Sequence, residues 1–146
     1  MSLSADLREF IELLNSRGVE YVIVGAHSLA FHGRPRYTGD LDILVRPSQE
    51  NAEKITAVIS EFGFAESGFH VGDFLEPDQI IQLGRIPSRI DLMTGITGVA
   101  TTEAFATKLS AQLSGVPVFI LSKELLIQNK RAVGRPQDLA DLDALS

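Results

Sequence analysis

The sequence predicts an α/β (α+β) fold, in which a mixed β-sheet of about five strands carries packed helices, as a single domain over residues 1–146. Segments with apolar residues at helical spacing alternate with short runs rich in valine and isoleucine, and glycine or proline separates them. A length of 146 residues with 45% hydrophobic residues suits one domain with a substantial core.

The N-terminal half predicts three helices and two strands. Apolar residues at helical spacing, followed by Gly18, indicate the first helix. Residues 19–24 form a continuous β-branched run, which is typical of a strand buried on both faces. Pro35 favours an extended approach to the second strand, and Ser48 is placed to cap a helix that Gly63 ends. The predicted helices are 5–17, 26–31 and the one from Ser48 to Gly63; the predicted strands are 19–24 and 40–45.

The C-terminal half predicts three more strands and three more helices. Residues 64–78 show no clear period, so a loop or an irregular strand is expected there. Ser114-Gly115 suits a hairpin turn. Ser122 is placed to cap a helix, and Gly134-Arg135-Pro136 ends that helix. The predicted strands are 79–83, 89–93 and 116–121; the predicted helices are 101–107, 123–132 and one from 136 or 137 to 145.

The composition limits the location and the partners of the protein. The chain has no cysteine, no apolar run of the roughly 18 residues that a membrane span needs, and no apolar stretch typical of a signal peptide. A cytoplasmic location without membrane contact is therefore expected. The net charge of −6 argues against broad nonspecific binding to nucleic acid. The basic residues gather in two places, which fits a small polyphosphate: Arg34 and Arg36, then Lys123, Lys130, Arg131 and Arg135.

Two aspartates stand at the start of the strand 40–45. Asp40 and Asp42 are two residues apart, so in a strand they point to the same side, roughly 6.5–7 Å apart along the chain. Two carboxylates held in this way repel each other unless a cation lies between them. Carboxylate oxygens suit Mg²⁺ or Mn²⁺, which also bind substrate phosphates. The alternative is a pair of solvated aspartates at a strand start.

A third acid, Asp91, interrupts the apolar strand 89–93. A lone aspartate there is unfavourable unless it is hydrogen-bonded or binds a metal. If this strand lies beside 40–45, Asp91 completes a three-carboxylate cluster, shares a metal and acts as general base toward an acceptor hydroxyl. A salt bridge to an arginine is the alternative.

Further residues are candidates for binding a nucleotide. Gly25-Ala26 joins a strand to a helix, where backbone N–H groups can hold phosphate oxygens, and Ser28 offers a hydroxyl. Arg36 is in register with the aspartate pair and either holds a phosphate or balances the acids. Lys130 either reaches the triphosphate or is a solvated surface charge.

At these residues the sequence resembles the minimal nucleotidyltransferases of the DNA polymerase β superfamily. The resemblance rests on Gly25-Ala26, on Asp40 and Asp42, and on Asp91. A subgroup similar to toxin-type, AbiEii-like nucleotidyltransferases is matched over nearly the whole chain. The segments that carry this match are HGRPRYTGDLDILV, LGRIPSRIDLMTGITGV and LLIQNKRAVGRPQDLADLDAL.

The resemblance implies transfer of a nucleoside monophosphate from a nucleoside triphosphate to a hydroxyl of a tRNA, a protein or a small molecule, with two Mg²⁺ or Mn²⁺ ions. Ala26 departs from the glycine or serine usual in that turn. Substrate choice is expected to come from a partner protein, a second copy of the chain or the loop 64–78. The alternative function is an inactive nucleotide- or protein-binding module of the toxin–antitoxin type. A sugar transferase, which also uses an Asp-x-Asp pair, predicts no role for Asp91.

Overall fold

The computed structural model describes residues 4–33, 39–64, 68–85 and 88–145. These ranges contain six α-helices and six strands, so the predicted mixed α/β class is confirmed. The helices are α1 (Ala5–Ser16), α2 (Gly25–Phe31), α3 (Gln49–Ile59), α4 (Thr101–Ala106), α5 (Lys123–Val133) and α6 (Pro136–Leu145). The strands are β1 (Tyr21–Val24), β2 (Asp40–Val45), β3 (Ile80–Arg85), β4 (Ser88–Met93), β5 (Leu109–Leu113) and β6 (Val116–Ile120).

The strands form one mixed sheet in the order β3-β4-β2-β1-β6-β5. The pairs β2–β4 and β1–β6 are parallel, and the other neighbours are antiparallel. Six strands replace the predicted five because β5 was not predicted from the sequence. Its residues form an edge strand and are mostly exposed, so they lack a strong apolar pattern. The predicted turn at Ser114-Gly115 is present, and both residues have positive φ, as a tight hairpin requires.

Each face of the sheet packs on its own set of helices. Alternate residues of β2, such as Ile43, join a core with Phe10 of α1 and Ile55 of α3. On the opposite face, Leu44 joins a second core with Leu125 of α5. This second face is apolar only towards the C-terminal end of β2, because the other end carries the two aspartates of that strand.

The helix boundaries follow their capping residues. Ser48 accepts a hydrogen bond from the backbone N–H of Asn51 at 3.2 Å, and Ser122 accepts one from Leu125 at 3.3 Å, as predicted for both serines. Beyond α3, a π-helical turn begins at Ser60, and Gly63 interrupts it with a φ of +112°. No helix in the described ranges has the length and apolar character needed to cross a membrane.

The segment before β3 contains a short 3₁₀ turn, Val71–Phe74, whose Phe74 is buried. The hydroxyl of Thr94, directly after β4, fixes the loop between this turn and β3. Thr94 Oγ1 accepts from the backbone N–H of Gln79 at 2.8 Å and donates to the carbonyl of Glu76 at 2.7 Å. This loop therefore lies beside the end of β4.

Candidate active site

The parallel pairing of β2 and β4 brings the predicted aspartates together. Asp42 is directly opposite Asp91, and Asp40 is opposite Arg89. Directly opposed residues of neighbouring strands point to the same face, and residues two apart along one strand do so as well. All four side chains therefore lie on one face, where Asp91 is 5% exposed.

Arg89 lies among these carboxylates. Its Nη2 donates to Asp40 Oδ2 at 3.1 Å and to Asp91 Oδ2 at 3.2 Å. Its Nε is 3.2 Å from Asp91 Oδ1, within ion-pair distance, but the two atoms are not aligned as a hydrogen bond. The salt bridge considered as the alternative for Asp91 is thus present, together with the predicted neighbouring carboxylates.

The cluster raises the pKa of Asp42. Burial is the largest cause, followed by the charge of Asp91, a hydrogen bond with Asp91 and the charge of Asp40; Arg89 acts in the opposite direction. The pKa of the Asp42 carboxyl is about 7 as a result. Two carboxyl groups this close cannot both ionise easily without a compensating positive charge.

A divalent cation fits part of this cluster. Asp42 and Asp91 are directly opposed and repel each other, and Asp91 Oδ1 is buried with only the ion pair to Arg89 Nε and no hydrogen bond, so this pair of carboxylates offers the oxygen ligands that a divalent cation prefers. In the described ranges, however, no three acidic or histidine side chains are grouped as a metal site. Arg89 instead holds Asp40 and Asp91 from one side. Asp42 and Asp91 therefore suit a hard cation, and Asp40 would join them once Arg89 releases it.

Gly25 begins α2 directly beside Asp42. Its φ is +67°, and a β-carbon built on it would overlap the Asp42 carboxylate. Only glycine combines this backbone conformation with such a close approach. Ala26 follows as the next residue of the same helix.

Two predicted nucleotide-binding residues have other roles, and a third lies outside the described residues. Ser28 is buried, and its Oγ donates to the Gly25 carbonyl at 2.9 Å, so its hydroxyl is used inside α2. Lys130 is buried, and its Nζ is 3.2 Å from Asp138 and 3.1 Å from Asp141. Each polar group is buried and has partners within the protein, which does not favour a contact with nucleotide, and the predicted contacts of Ser28 and Lys130 stay predictions. Arg36 lies outside the ranges that the structure describes.

A pocket of about 640 Å³ opens beside Asp42. Asp42 and Gly25 line one side of it, and the loop after β4 and the corner between α5 and α6 line the rest. Its apolar surface comes from Ile80, Met93, Ile96 and Val133, and its polar side chains include Asp42, Asp78, Asn129 and Arg135. The pocket is large enough for a nucleotide-sized ligand.

The predicted site residues did not include two basic side chains. Arg89 is two residues before Asp91, and in a strand this spacing indicates that both share one face. That signal was available in the sequence. Arg135 belongs to the C-terminal basic group, but nothing in the sequence distinguishes it from Arg131, which does not line the pocket.

The mixed sheet with these aspartates on adjacent parallel strands has the nucleotidyltransferase fold. A candidate nucleotidyltransferase from Thermotoga maritima, TM1012, superposes with a TM-score of 0.62, at 20% identity over 94% of this chain and 88% of the other. The chain belongs to the family described as nucleotidyl transferase of unknown function (DUF2204), which it matches over residues 3–146.

Two antibiotic-modifying enzymes share the fold. The lincosamide antibiotic adenylyltransferase LnuA, solved with lincomycin, has a TM-score of 0.58 at 13% identity, over 99% of this chain and 98% of that one. ANT(2'')-Ia, solved with adenylyl-2''-tobramycin, has a TM-score of 0.58 at 14% identity, over 95% of this chain and 84% of that one. No curated protein sequence matches the chain.

Proposed function

We propose that this protein is a divalent-metal-dependent nucleotidyltransferase, which transfers a nucleoside monophosphate from a nucleoside triphosphate to an acceptor hydroxyl. The observation that supports this most strongly is the register pairing of Asp42 with Asp91, because Asp42 also lines the pocket beside Gly25. Membership of a nucleotidyl transferase family points to the same chemistry.

In this proposal, the nucleotide occupies the pocket beside Gly25-Ala26, and Asp40, Asp42 and Asp91 hold the metal ions. Mg²⁺ or Mn²⁺ bound there would neutralise the triphosphate and lower the pKa of the acceptor hydroxyl. The acceptor oxygen forms a bond to the α-phosphorus, the bond to the bridging oxygen breaks, and pyrophosphate leaves. Asp91 takes the hydroxyl proton as general base. Most of the rate acceleration comes from positioning and charge neutralisation.

For the acceptor, the proposal names a chemical class and not a particular molecule. The neighbours of known chemistry are adenylyltransferases, LnuA and ANT(2'')-Ia, solved with lincomycin and adenylyl-tobramycin. A small-molecule hydroxyl is therefore the first acceptor class to test, with a tRNA or a protein next. A partner protein or a second copy of this chain, in the cytoplasm, would contribute to substrate choice.

The direct test incubates the protein with each α-labelled nucleoside triphosphate and Mg²⁺ in a cell lysate. We expect one molecule to become labelled while pyrophosphate is released, and we expect Asp42→Asn and Asp91→Asn to abolish both signals with the fold intact. Full activity in either variant would reject the mechanism. Glu9→Gln, an exposed acid on α1, is the matched control.

A second candidate function is supported by the position of Arg89. Its guanidinium pairs with two of the three carboxylates, as a permanent replacement for a metal would. Such a protein would be an inactive nucleotide- or protein-binding module of the toxin–antitoxin type, consistent with Ala26 in the turn. Calorimetric nucleotide binding without pyrophosphate release in any lysate would favour this candidate over the enzyme.

A further inference from the structure

We infer that Arg135 binds the two distal phosphates of the nucleoside triphosphate, the part that leaves as pyrophosphate; this assignment rests on the proposed function. Arg135 lies in the corner between α5 and α6, and it lines the same pocket as Gly25 and Asp42.

The pocket has acidic side chains, so a polyphosphate bound there requires a compensating cation. Asp42 and Asp78 both line it, so its acidic side chains oppose the binding of a polyphosphate. Among the lining residues in the described part of the chain, Arg135 is the basic one. A guanidinium suits this task because its planar donors match phosphate oxygens in pairs.

Arg135 is both exposed and held in place. Its side chain is 70% exposed, yet Nε donates to Asp138 Oδ2 at 2.7 Å and Nη2 donates to Asp138 Oδ1 at 3.3 Å. The backbone N–H of Arg135 donates to the same carboxylate at 3.2 Å. One edge of the guanidinium is thus fixed on Asp138. Nη1, on its other edge, has no hydrogen-bond partner among the described residues.

A buried ion-pair network holds Asp138 in turn. Asp138 and Asp141 are each 1% exposed, and both lie next to the Nζ of Lys130, which is itself buried. Burying three charges costs free energy even when they are paired. The network fixes Asp138, and through it the exposed arginine, although a more apolar contact between α5 and α6 would serve stability at least as well.

The backbone places this arginine at the corner. Gly134 caps the C-terminus of α5 with a φ of +68°, and Pro136 begins α6, so Gly134 and Arg135 are the two residues between the helices. Glycine is suited to this left-handed helix end, and proline to the first position of a helix. Gly134 and Pro136 therefore fix the backbone on both sides of Arg135 and, with it, the direction of the arginine side chain.

The loop after β4, which forms another wall of the pocket, is hydrogen-bonded to α5. Asn129 Nδ2 donates to the Thr97 carbonyl at 2.8 Å, and Gln128 Nε2 donates to the Gly98 carbonyl at 2.5 Å. A β-carbon on Gly98 would overlap the side chain of Ala132, so the loop and α5 are in close contact. The loop wall and the arginine corner are thus joined through α5.

This geometry predicts selectivity for polyphosphates over monophosphates. Asp42 marks the end of the pocket where the α-phosphate reacts, and Arg135 lines the pocket from a different element. A nucleoside monophosphate lacks the groups that Arg135 would bind. Arg135 would also neutralise the charge that develops on pyrophosphate as it leaves.

The test measures binding of Mg²⁺-pyrophosphate, Mg²⁺-ATP, Mg²⁺-GTP and AMP by calorimetry to the full chain, wild type and Arg135→Gln. We expect the substitution to weaken pyrophosphate and triphosphate binding roughly 10- to 100-fold, because a charge-assisted contact is lost, and to leave AMP binding unchanged. The affinity of Arg135→Lys for pyrophosphate and triphosphate should lie between those of wild type and Arg135→Gln. Arg131→Gln replaces an exposed arginine of α5 outside the pocket, and this variant should bind like wild type.

The outcomes separate this inference from the proposed function. Equal triphosphate binding by wild type and Arg135→Gln would overturn the role of Arg135 and leave the nucleotidyltransferase proposal standing. Binding of neither pyrophosphate nor any nucleotide by wild type would overturn both. Arg135→Gln keeps the Lys130–Asp138 pair, so a thermal melt close to that of wild type is expected to confirm that the variant is folded.

Discussion

Gly25 has no space for a β-carbon because the Asp42 carboxylate occupies it. Gly25 directly follows β1, and Asp42 lies on the antiparallel neighbour β2, where its register partner is Val24. The glycine thus determines where a central carboxylate of the site can lie. This adds a second reason for glycine at the turn, beside its left-handed backbone conformation.

Gly25→Ala is expected to lower the free energy of unfolding by about 1–3 kcal/mol and to abolish transfer, because the new methyl group displaces Asp42. Urea unfolding and pyrophosphate release measure the two effects. Gly18→Ala is the matched control: it has the same φ of +67°, but the nearest atom to its β-carbon, Lys54 Nζ, is 3.9 Å away. It should lose stability from backbone strain and keep full activity. Equal activity of the two variants would contradict the proposed role of Gly25.

The raised pKa of Asp42 predicts how stability depends on pH. Its folded value of about 7 is above the ordinary value for an unfolded chain, about 3.9, so the folded state keeps a proton that the unfolded state loses. This contribution to stability is complete below about pH 4 and disappears as the pH rises through about 7. Urea titrations at a series of pH values should show the decline, and Asp42→Asn should flatten it. The same slope in both proteins would show that another group is responsible.

Added Mg²⁺ should stabilise the protein, and more at pH 8 than at pH 5, because Asp42 must lose its proton to bind a cation. At ten times the dissociation constant the gain is about 1.4 kcal/mol, which is measurable as a rise in melting temperature. Asp42→Asn and Asp91→Asn should abolish the rise, and Glu9→Gln should retain it. A rise that persists in both aspartate variants would locate the metal elsewhere.

Arg89→Gln is expected to have two opposite effects. In the absence of metal it should destabilise the fold by about 1–3 kcal/mol, because Asp40 and Asp91 lose their shared donor. In Mg²⁺ it should bind the cation more tightly than wild type, because the competing guanidinium is gone. Urea unfolding with and without Mg²⁺ measures both. Arg17→Gln, which breaks an exposed ion pair with Glu61, should change stability by less than about 1 kcal/mol and leave Mg²⁺ binding unaltered.

Lys130→Met should destabilise the protein by about 3–5 kcal/mol, because Asp138 and Asp141 would keep buried charge without their lysine. The pKa of Asp138 is lowered to about 2, chiefly by Arg135 and with help from Lys130, so its contribution to stability is present above about pH 4 and is lost as the pH falls through about 2. Acid unfolding monitored by circular dichroism should therefore begin at a higher pH in the variant. Lys123→Met, at an exposed position on the same helix, should behave like wild type.

The local pattern of the sequence was sufficient for most elements and for the acidic residues of the site. The period-2 pattern of β2 separates Leu41 and Ile43 from Asp40 and Asp42, and that separation persists in the fold. The single acid at Asp91 was recognisable because an apolar strand otherwise surrounds it. The edge strand β5 was missed because exposed residues at a sheet edge carry no comparable pattern.

The sequence by itself determined five of the six strands, which face of β2 carries carboxylates and which family the chain resembles, because these depend on spacing along a single segment. Only the tertiary structure decided that Asp42 lies opposite Asp91, that Lys130 is buried between two acids, and that Arg135 reaches the pocket. These relationships depend on strand order and on the way two helices meet. Residues far apart in the chain become neighbours there, and no periodicity along the sequence records that contact.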